Sequence, residues 1–348
     1  MSLRVVRVQN RTQFFSFLEL AEYIYGRNSQ AALANRRETA LLLDPGANPA
    51  LRHVQLALFL ALQNGKPVGR IACAVDDFCR DANTGFFGAF EAARDEQVTR
   101  ALMEEAGKWL REQKCWKMTG PAMANTNQRV GVLIDGFSAP PTFMLPYNPP
   151  YYKELFESCG CKKLADLLAY QWSAEDTLPE VIKRAARRAR RYQGTVVQPL
   201  NSCLSFHRQV EAVHYILNRS MKRNWGYIPL TLPEVLAILT HYQRVADPRL
   251  LLLARVDHQP AGICFCIPQP GEPEGKPAFR LALMAVVPEF RQRGIDALLL
   301  ETCHAALPPG SQIEISQIHE GNSVVLKMVQ RVTPHPVRRY RVYQRSIP

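Results

Sequence analysis

The chain has 348 residues, more than one hydrophobic core usually fills, since domains run roughly 100–200 residues, and it is read as two domains. Its 47% hydrophobic and 21% charged composition is that of a globular protein, and its longest apolar stretch, Val54 to Leu62 with Gln55 inside it, is too short to cross a bilayer. A net charge of +12 and a pI near 9.4 point to an anionic partner: nucleic acid, phospholipid headgroups or a polyphosphorylated cofactor.

The N-terminus, MSLRVVRVQNR, has no apolar stretch followed by a small-residue cleavage site, so cytoplasmic residence is expected. Leu58-Phe-Leu-Ala61 leads through a polar turn into Pro67-Val-Gly69, a hairpin pattern. An apolar strand, Gly85 to Phe90, follows, and then a helix from Asp95 to Gln113 with apolar residues at 3.6-residue spacing. Between strand and helix stands Glu91-Ala-Ala-Arg-Asp-Glu96, acidic and without glycine, a poor seat for phosphate. Pro-rich sequence from Ala139 to Pro150 excludes a helix. A short helix after Asn148 and a strand ending in Tyr170-Gln171 close this half.

The linker is placed at Trp172 to Pro179, giving domains 1–172 and 173–348. Lys183, Arg184, Arg187, Arg188, Arg190 and Arg191 then form a basic helix (183–191). It reads either as a solvated face or as a patch for a membrane surface. It lacks the aromatics that stack bases, so no nucleic-acid partner is expected. The earlier pattern now recurs in order: Leu251 to Ala254 with Pro260-Ala-Gly262, the strand Leu281 to Val287, a helix to Leu307, a second strand, a helix at Asn322 and a last strand through Tyr343-Gln344. Part of the second half, Pro268 to Pro277, is a Pro/Gly-rich connection.

The nine cysteines are spread over both halves, which favours free thiols, and neither Cys159-Gly-Cys161 nor Cys264-Phe-Cys266 has a partner pair at zinc spacing, so no metal is expected.

The second copy carries the chemistry. After its strand Leu281 to Val287 comes Arg291-Gln292-Arg293-Gly294-Ile295-Asp296 and then directly a helix. A glycine-containing turn at a helix start aims several backbone N–H groups and the positive end of the helix dipole at one point, a cradle for pyrophosphate. The arrangement resembles the GNAT superfamily of acyl-coenzyme A-dependent N-acyltransferases, whose signature here is Arg/Gln-x-x-Gly-x-Gly/Ala. Arg291 and Gly294 match, and Asp296 departs from it. Gly85 to Glu91, Leu133 to Phe137, Leu145 to Asn148, Asn224 to Pro229, Pro288 to Leu298 and Glu320-Gly-Asn322 extend the resemblance to a group of bacterial two-domain GNAT proteins that includes ceramide synthases.

The resemblance implies an α/β (α+β) fold of two tandem GNAT-like domains, each a mixed, mostly antiparallel sheet flanked by helices, with acyl-CoA as co-substrate in the second. It implies cofactor contacts from Val286 and Val287, whose strand supplies the oxyanion N–H, from Arg291 to Asp296, and from Asn322. The reaction it implies is attack of a primary amine on the thioester, needing a base and a proton donor. Glu314, His319 and Glu320 are the candidate bases; Glu314 shares a strand face with Gln312 and Ser316 that also fits a solvated edge, and Glu320 also fits a favourable charge before a helix. Ser323 to Arg331 has no tyrosine, which leaves water, Tyr147 or Tyr227 as the acid.

Asn224, Trp225 and Tyr227 line the expected acceptor loop, with Tyr147 and Asn148 added from the first copy, which is read as a scaffold or acceptor-binding half. The aromatic loop and the basic helix favour a lipid-like amine such as a sphingoid base, with peripheral contact at the inner membrane face. A small-amine acetyltransferase, a tRNA-dependent peptidyl transferase and a non-catalytic acyl-CoA-binding module remain as alternatives.

Overall fold

The computed structural model describes residues 2–138, 141–202, 204–270 and 275–348; parts of the two Pro-rich connections thus lie outside the described residues. The chain divides into two compact units, residues 1–167 with 339–348, and residues 168–338.

The first unit opens with β1 (Leu3–Arg7), α1 (Arg11–Tyr25) and α2 (Gln30–Leu43). Both helices are capped by side chains, Asn10 accepting from the Gln13 N–H and Ser29 from that of Ala32. Three antiparallel strands follow, β2 (Val54–Gln63), β3 (Lys66–Asp76) and β4 (Thr84–Ala92), then α3 (Glu96–Glu112), β5 (Lys117–Gly120), β6 (Val132–Asp135) and α4 (Tyr152–Ser158). The apolar face of α3, which includes Leu102, Met103, Ala106 and Leu110, is fully buried in a core with Phe87, Phe156 and Ile71. Burying side chains of this kind stabilises the fold by roughly 1.5–3 kcal/mol each.

β7 (Lys162–Ser173) leads out of this unit, and the second continues with α5 (Glu180–Arg191), β8 (Thr195–Pro199), α6 (Phe206–Met221), α7 (Leu232–Val245), β9 (Leu251–Val256), β10 (Gln259–Pro268), β11 (Ala278–Val286), α8 (Ile295–Ala306), β12 (Gln312–His319) and α9 (Ser323–Val329). Strands β8 to β11 are antiparallel in sequence order and β12 joins β11 in parallel. Thr231 and Glu234 form a reciprocal capping box at the start of α7. The mixed, mostly antiparallel sheets and their helices agree with the expected fold class.

The last strand, β13 (Arg338–Ser346), departs from the sequence-based boundary. The repeat assigned it to 173–348, yet it pairs antiparallel with β5, Tyr343 opposite Gly120, and with β6, so it completes the first unit. Asp166 holds it there, accepting hydrogen bonds from Arg339 (3.1 Å) and Arg341 (2.9 and 3.1 Å). A tandem repeat read along the chain cannot see such an exchange, because the pattern of β13 fits either sheet.

Candidate functional site

In the second unit, β11 and β12 are laddered only from Ala278–Gln312 to Leu281–Ile315. Past this point β11 stays on β10 as far as Val286 while β12 runs on to His319, so the two parallel strands part and leave a slot. A bulge shifts the β10–β11 register just there, with Phe265 opposite Leu283 and Cys266 opposite Leu281. The N–H of Val287 donates to the Ala261 carbonyl (2.9 Å), so Val287 has no amide to offer an oxyanion. Successive N–H groups alternate between the two edges of a strand, so that of Val286 points to the edge β12 has left.

Beyond Val287 the chain turns through residues 288–290 and enters α8 with two left-handed residues, Gln292 (φ 61°) and Gly294 (φ 82°). Gly294 is the residue before the helix and α8 has no side-chain cap, so its first amides are left for another acceptor. Asp296 lies exposed in the first turn.

Three features of the turn differ from the sequence-based picture. The space a side chain at Gly294 would need is filled by the Ala185 carbonyl of α5, so this glycine admits a helix backbone. Arg291 donates to backbone carbonyls, Nε to Val286 (3.1 Å) and Nη2 to Ser220 (2.7 Å), and so braces the turn against β11 and α6. The Arg293 guanidinium lies over the rings of Phe290 (5.2 Å) and Tyr192 (5.9 Å).

The basic helix is therefore part of the turn's surroundings. Arg188 of α5 donates to the Gln292 carbonyl (3.0 Å), while Arg190 pairs with Glu301 (2.5 Å) and Arg187 with Glu180.

At the far end of the slot, the His319 ring stacks on Trp225 (centroids 5.1 Å apart, planes at 21°), which brings the α6–α7 loop to the exit of β12. Nδ1 of His319 accepts the Gly321 N–H (3.0 Å); the neutral ring then carries its proton on Nε2 and acts as a donor. Glu320 is half-buried beside it. Asn322 caps α9 by accepting from Val325 (3.4 Å), a structural duty. Asn224 is exposed, and Tyr227 donates to Asn218 (2.9 Å), with burial raising its phenol to about 12.

Glu314 does not lie on a solvated strand face: it is buried and paired with buried Arg338. Neighbouring Arg280 is buried as well and reaches the Ser316 hydroxyl (3.2 Å).

In the first unit β4 and β5 are laddered from Thr84–Lys117 to Phe86–Thr119, the Ala122 N–H still donates to the Phe87 carbonyl (2.6 Å), and β4 bulges at Ala89 (φ 45°). Here the helix start is occupied: Asp95 accepts from the Gln97 and Val98 amides (2.8 and 3.3 Å). Glu91, which the sequence placed in the acidic turn, belongs to β4 and points into the unit. A cavity of about 50 Å³ opens there, with Glu91, Asn35, Arg129, Met123, Tyr147 and Asn148 among its lining. Asn148 itself clamps the Leu133 backbone (2.7 and 3.0 Å).

Sequence reasoning singled out Tyr147 and Asn148 of this lining and missed the buried carboxylate Glu91 and its partners. A signal existed in the single charges Arg70 and Glu91, each inside an apolar strand and facing one another across the ladder.

Among the described residues no group of three or more His, Cys, Asp or Glu is placed to hold a metal, and no helix is long and apolar enough to cross a membrane.

No protein-family model matches the chain. It is 26% identical to the bacterial ceramide synthase of Caulobacter vibrioides over 99% of its own length and 98% of that protein, and 27% identical to protein YghO of Escherichia coli over 86% and 84%. A tandem GNAT protein from the clavulanic acid biosynthesis pathway superposes with a TM-score of 0.60 at 15% identity, covering 100% of this chain and 99% of that one.

Proposed function

We propose that the chain is a two-domain acyltransferase of the GNAT superfamily, which transfers an acyl group from acyl-coenzyme A to a primary amine with the thioester bound in the second unit. The observation that carries this reading is the parting of β11 from β12 beside a helix start with no side-chain cap. The pantetheine arm would enter the slot, its pyrophosphate would meet the first amides of α8, and residues 291–296 would form that turn. Arg291 serves as its brace, and α5 and Arg293 add positive charge.

In the step itself, the amine nitrogen attacks the thioester carbonyl and a C–N bond forms as the C–S bond breaks. The Val286 N–H would stabilise the developing oxyanion, Glu320 would take the amine proton, and the Nε2–H of His319 would meet the departing thiolate. Glu314 is already committed to Arg338, which favours Glu320 as the base.

Asn224, Trp225 and Tyr227 would border the acceptor, and the aromatic stack of Trp225 on His319 suits an amine with an apolar body. The relative named a bacterial ceramide synthase supports a sphingoid base as that amine, with a ceramide-type amide as product. Cytoplasmic residence with contact at the inner membrane face through Lys183, Arg184 and Arg191 belongs to the same reading.

A thiol-release assay across acyl chain lengths tests it. Sphingoid amines with long-chain acyl-CoA should release free thiol and yield the amide; release only with acetyl-CoA and small amines would replace the ceramide reading, and binding without release under any pairing would refute catalysis.

A further inference from the structure

The proposed transfer assigns no role to the first unit's cavity, which a buried carboxylate of unusual setting lines. Glu91 is 3% exposed. It accepts hydrogen bonds from Asn35 (2.5 Å), from Tyr152 (2.6 Å) and from Tyr25 (2.9 and 3.1 Å), all neutral donors. The nearest cation is Arg70, whose Nη2 stands 3.8 Å away, outside hydrogen-bond range.

Arg70 spends its donors elsewhere: on the carbonyls of Ala89 (3.1 Å), Phe17 (2.5 Å) and Leu18 (3.3 Å), and on the Asn35 amide oxygen (2.6 Å). Arg129, the cation of the lining, is paired with Glu38 at 3.4 Å. A buried carboxylate is ordinarily retained with a directly bonded cationic partner, and Glu91 has room for one.

Tyr25 shows where that room arises. Its hydroxyl lies within reach of Glu91 and also of the Tyr147 carbonyl (3.1 Å), and one proton cannot serve both. Rotation toward Tyr147 would free a lone pair of Glu91, and Glu91 and Tyr147 both line the cavity. Tyr152 has no such freedom, since it donates to Glu91 while accepting the Ala92 N–H (3.0 Å). Burial raises both phenols well above their ordinary value, so both remain donors. Around this polar floor, Phe90, Met123, Val132 and Leu42 supply apolar walls.

We propose that this cavity is a binding site for a primary alkylammonium group, with Glu91 as its counter-ion and the apolar walls holding the first carbons of its chain. The amine could be the acceptor of the transfer or a second amine that binds without reacting. The site rests on the first unit's residues alone, so it stands or falls separately from the thioester reading.

The test is calorimetric titration of the full-length protein with n-octylammonium chloride, with n-octanol as the neutral probe and coenzyme A in parallel. Saturable octylammonium binding is expected, weakened at least about tenfold both by Glu91→Gln and by replacing the head with a hydroxyl, as for a charge-assisted contact. Tyr25→Phe, which removes the competing donor, should keep the affinity. If Glu91→Gln fails to fold, the comparison of the two probes on the wild type decides by itself. Absence of saturable octylammonium binding, equal affinity for octanol, or an unchanged affinity in folded Glu91→Gln overturns the proposal, and normal coenzyme A binding in the same preparation shows that the thioester reading is untouched. A rise in KM for the acceptor in Glu91→Gln identifies the bound amine as the acceptor; unchanged kinetics with lost binding identifies a second amine.

Discussion

Ala185 and Gly294 meet backbone to backbone: the Ala185 carbonyl oxygen stands where any side chain at Gly294 would have to go. The glycine also holds a left-handed φ of 82°. Gly294→Ala should therefore combine a displaced helix with a strained backbone and lower stability by about 1–3 kcal/mol. Denaturant unfolding measures this, and an unchanged midpoint would mean that α5 does not rest on the turn.

Glu314 and Arg338 form a pair buried on both sides. Removing one partner, as in Glu314→Ala, leaves a buried charge behind and should cost about 3–5 kcal/mol, whereas Glu314→Leu with Arg338→Met should recover most of it. If Glu314 were instead the base, the double variant would regain stability and show no activity; retained turnover in that stable double variant is the expected result.

Tyr227 offers a pH test. Burial raises its phenol to about 12 against an ordinary 10.0, so its contribution to stability is complete below pH 10 and is lost as pH rises toward 12. Tyr227→Phe should remove this part of the alkaline unfolding. The same substitution should leave the pH–rate profile between pH 6 and 9 unchanged, because a phenol so placed stays protonated throughout; a shifted alkaline limb of kcat would restore Tyr227 as the proton donor.

The returning strand β13 gives the opposite sign. Burial acts to raise the Asp166 carboxyl, but hydrogen bonds from Arg341, Lys163 and Arg339 outweigh it and hold the group at about 2 against 3.8. Its contribution is present above pH 3.8 and lost as pH falls toward 2. Asp166→Asn should flatten acid unfolding in that window and release β13 to proteolysis; equal acid sensitivity in both proteins would remove Asp166 as the anchor.

The repeat, the hairpins and the turn were legible in the sequence because each rests on local chemistry: alternation in the strands, 3.6-residue spacing in α3 and α8, a glycine before a helix. The positions that misled are those decided by tertiary partners. Glu314 has the alternation of a solvated edge until Arg338 arrives from 24 residues later. Arg291 looks like a phosphate ligand alone until the carbonyls of Ser220 and Val286 give it a bracing role. Glu91 looks like part of an acidic turn until Tyr25, Asn35 and Tyr152 converge on it. No window of sequence holds these partners together.

That the second unit alone seats the cofactor is tested most directly by one paired charge reversal. Arg293→Glu places a negative charge at the open turn of α8, and Arg94→Glu does the same at the first unit's turn, where Asp95 already occupies the helix amides. With coenzyme A affinity measured by titration calorimetry, Arg293→Glu should weaken binding at least about tenfold and Arg94→Glu change it less than about twofold. Loss of affinity in Arg94→Glu with Arg293→Glu unaffected would contradict the account.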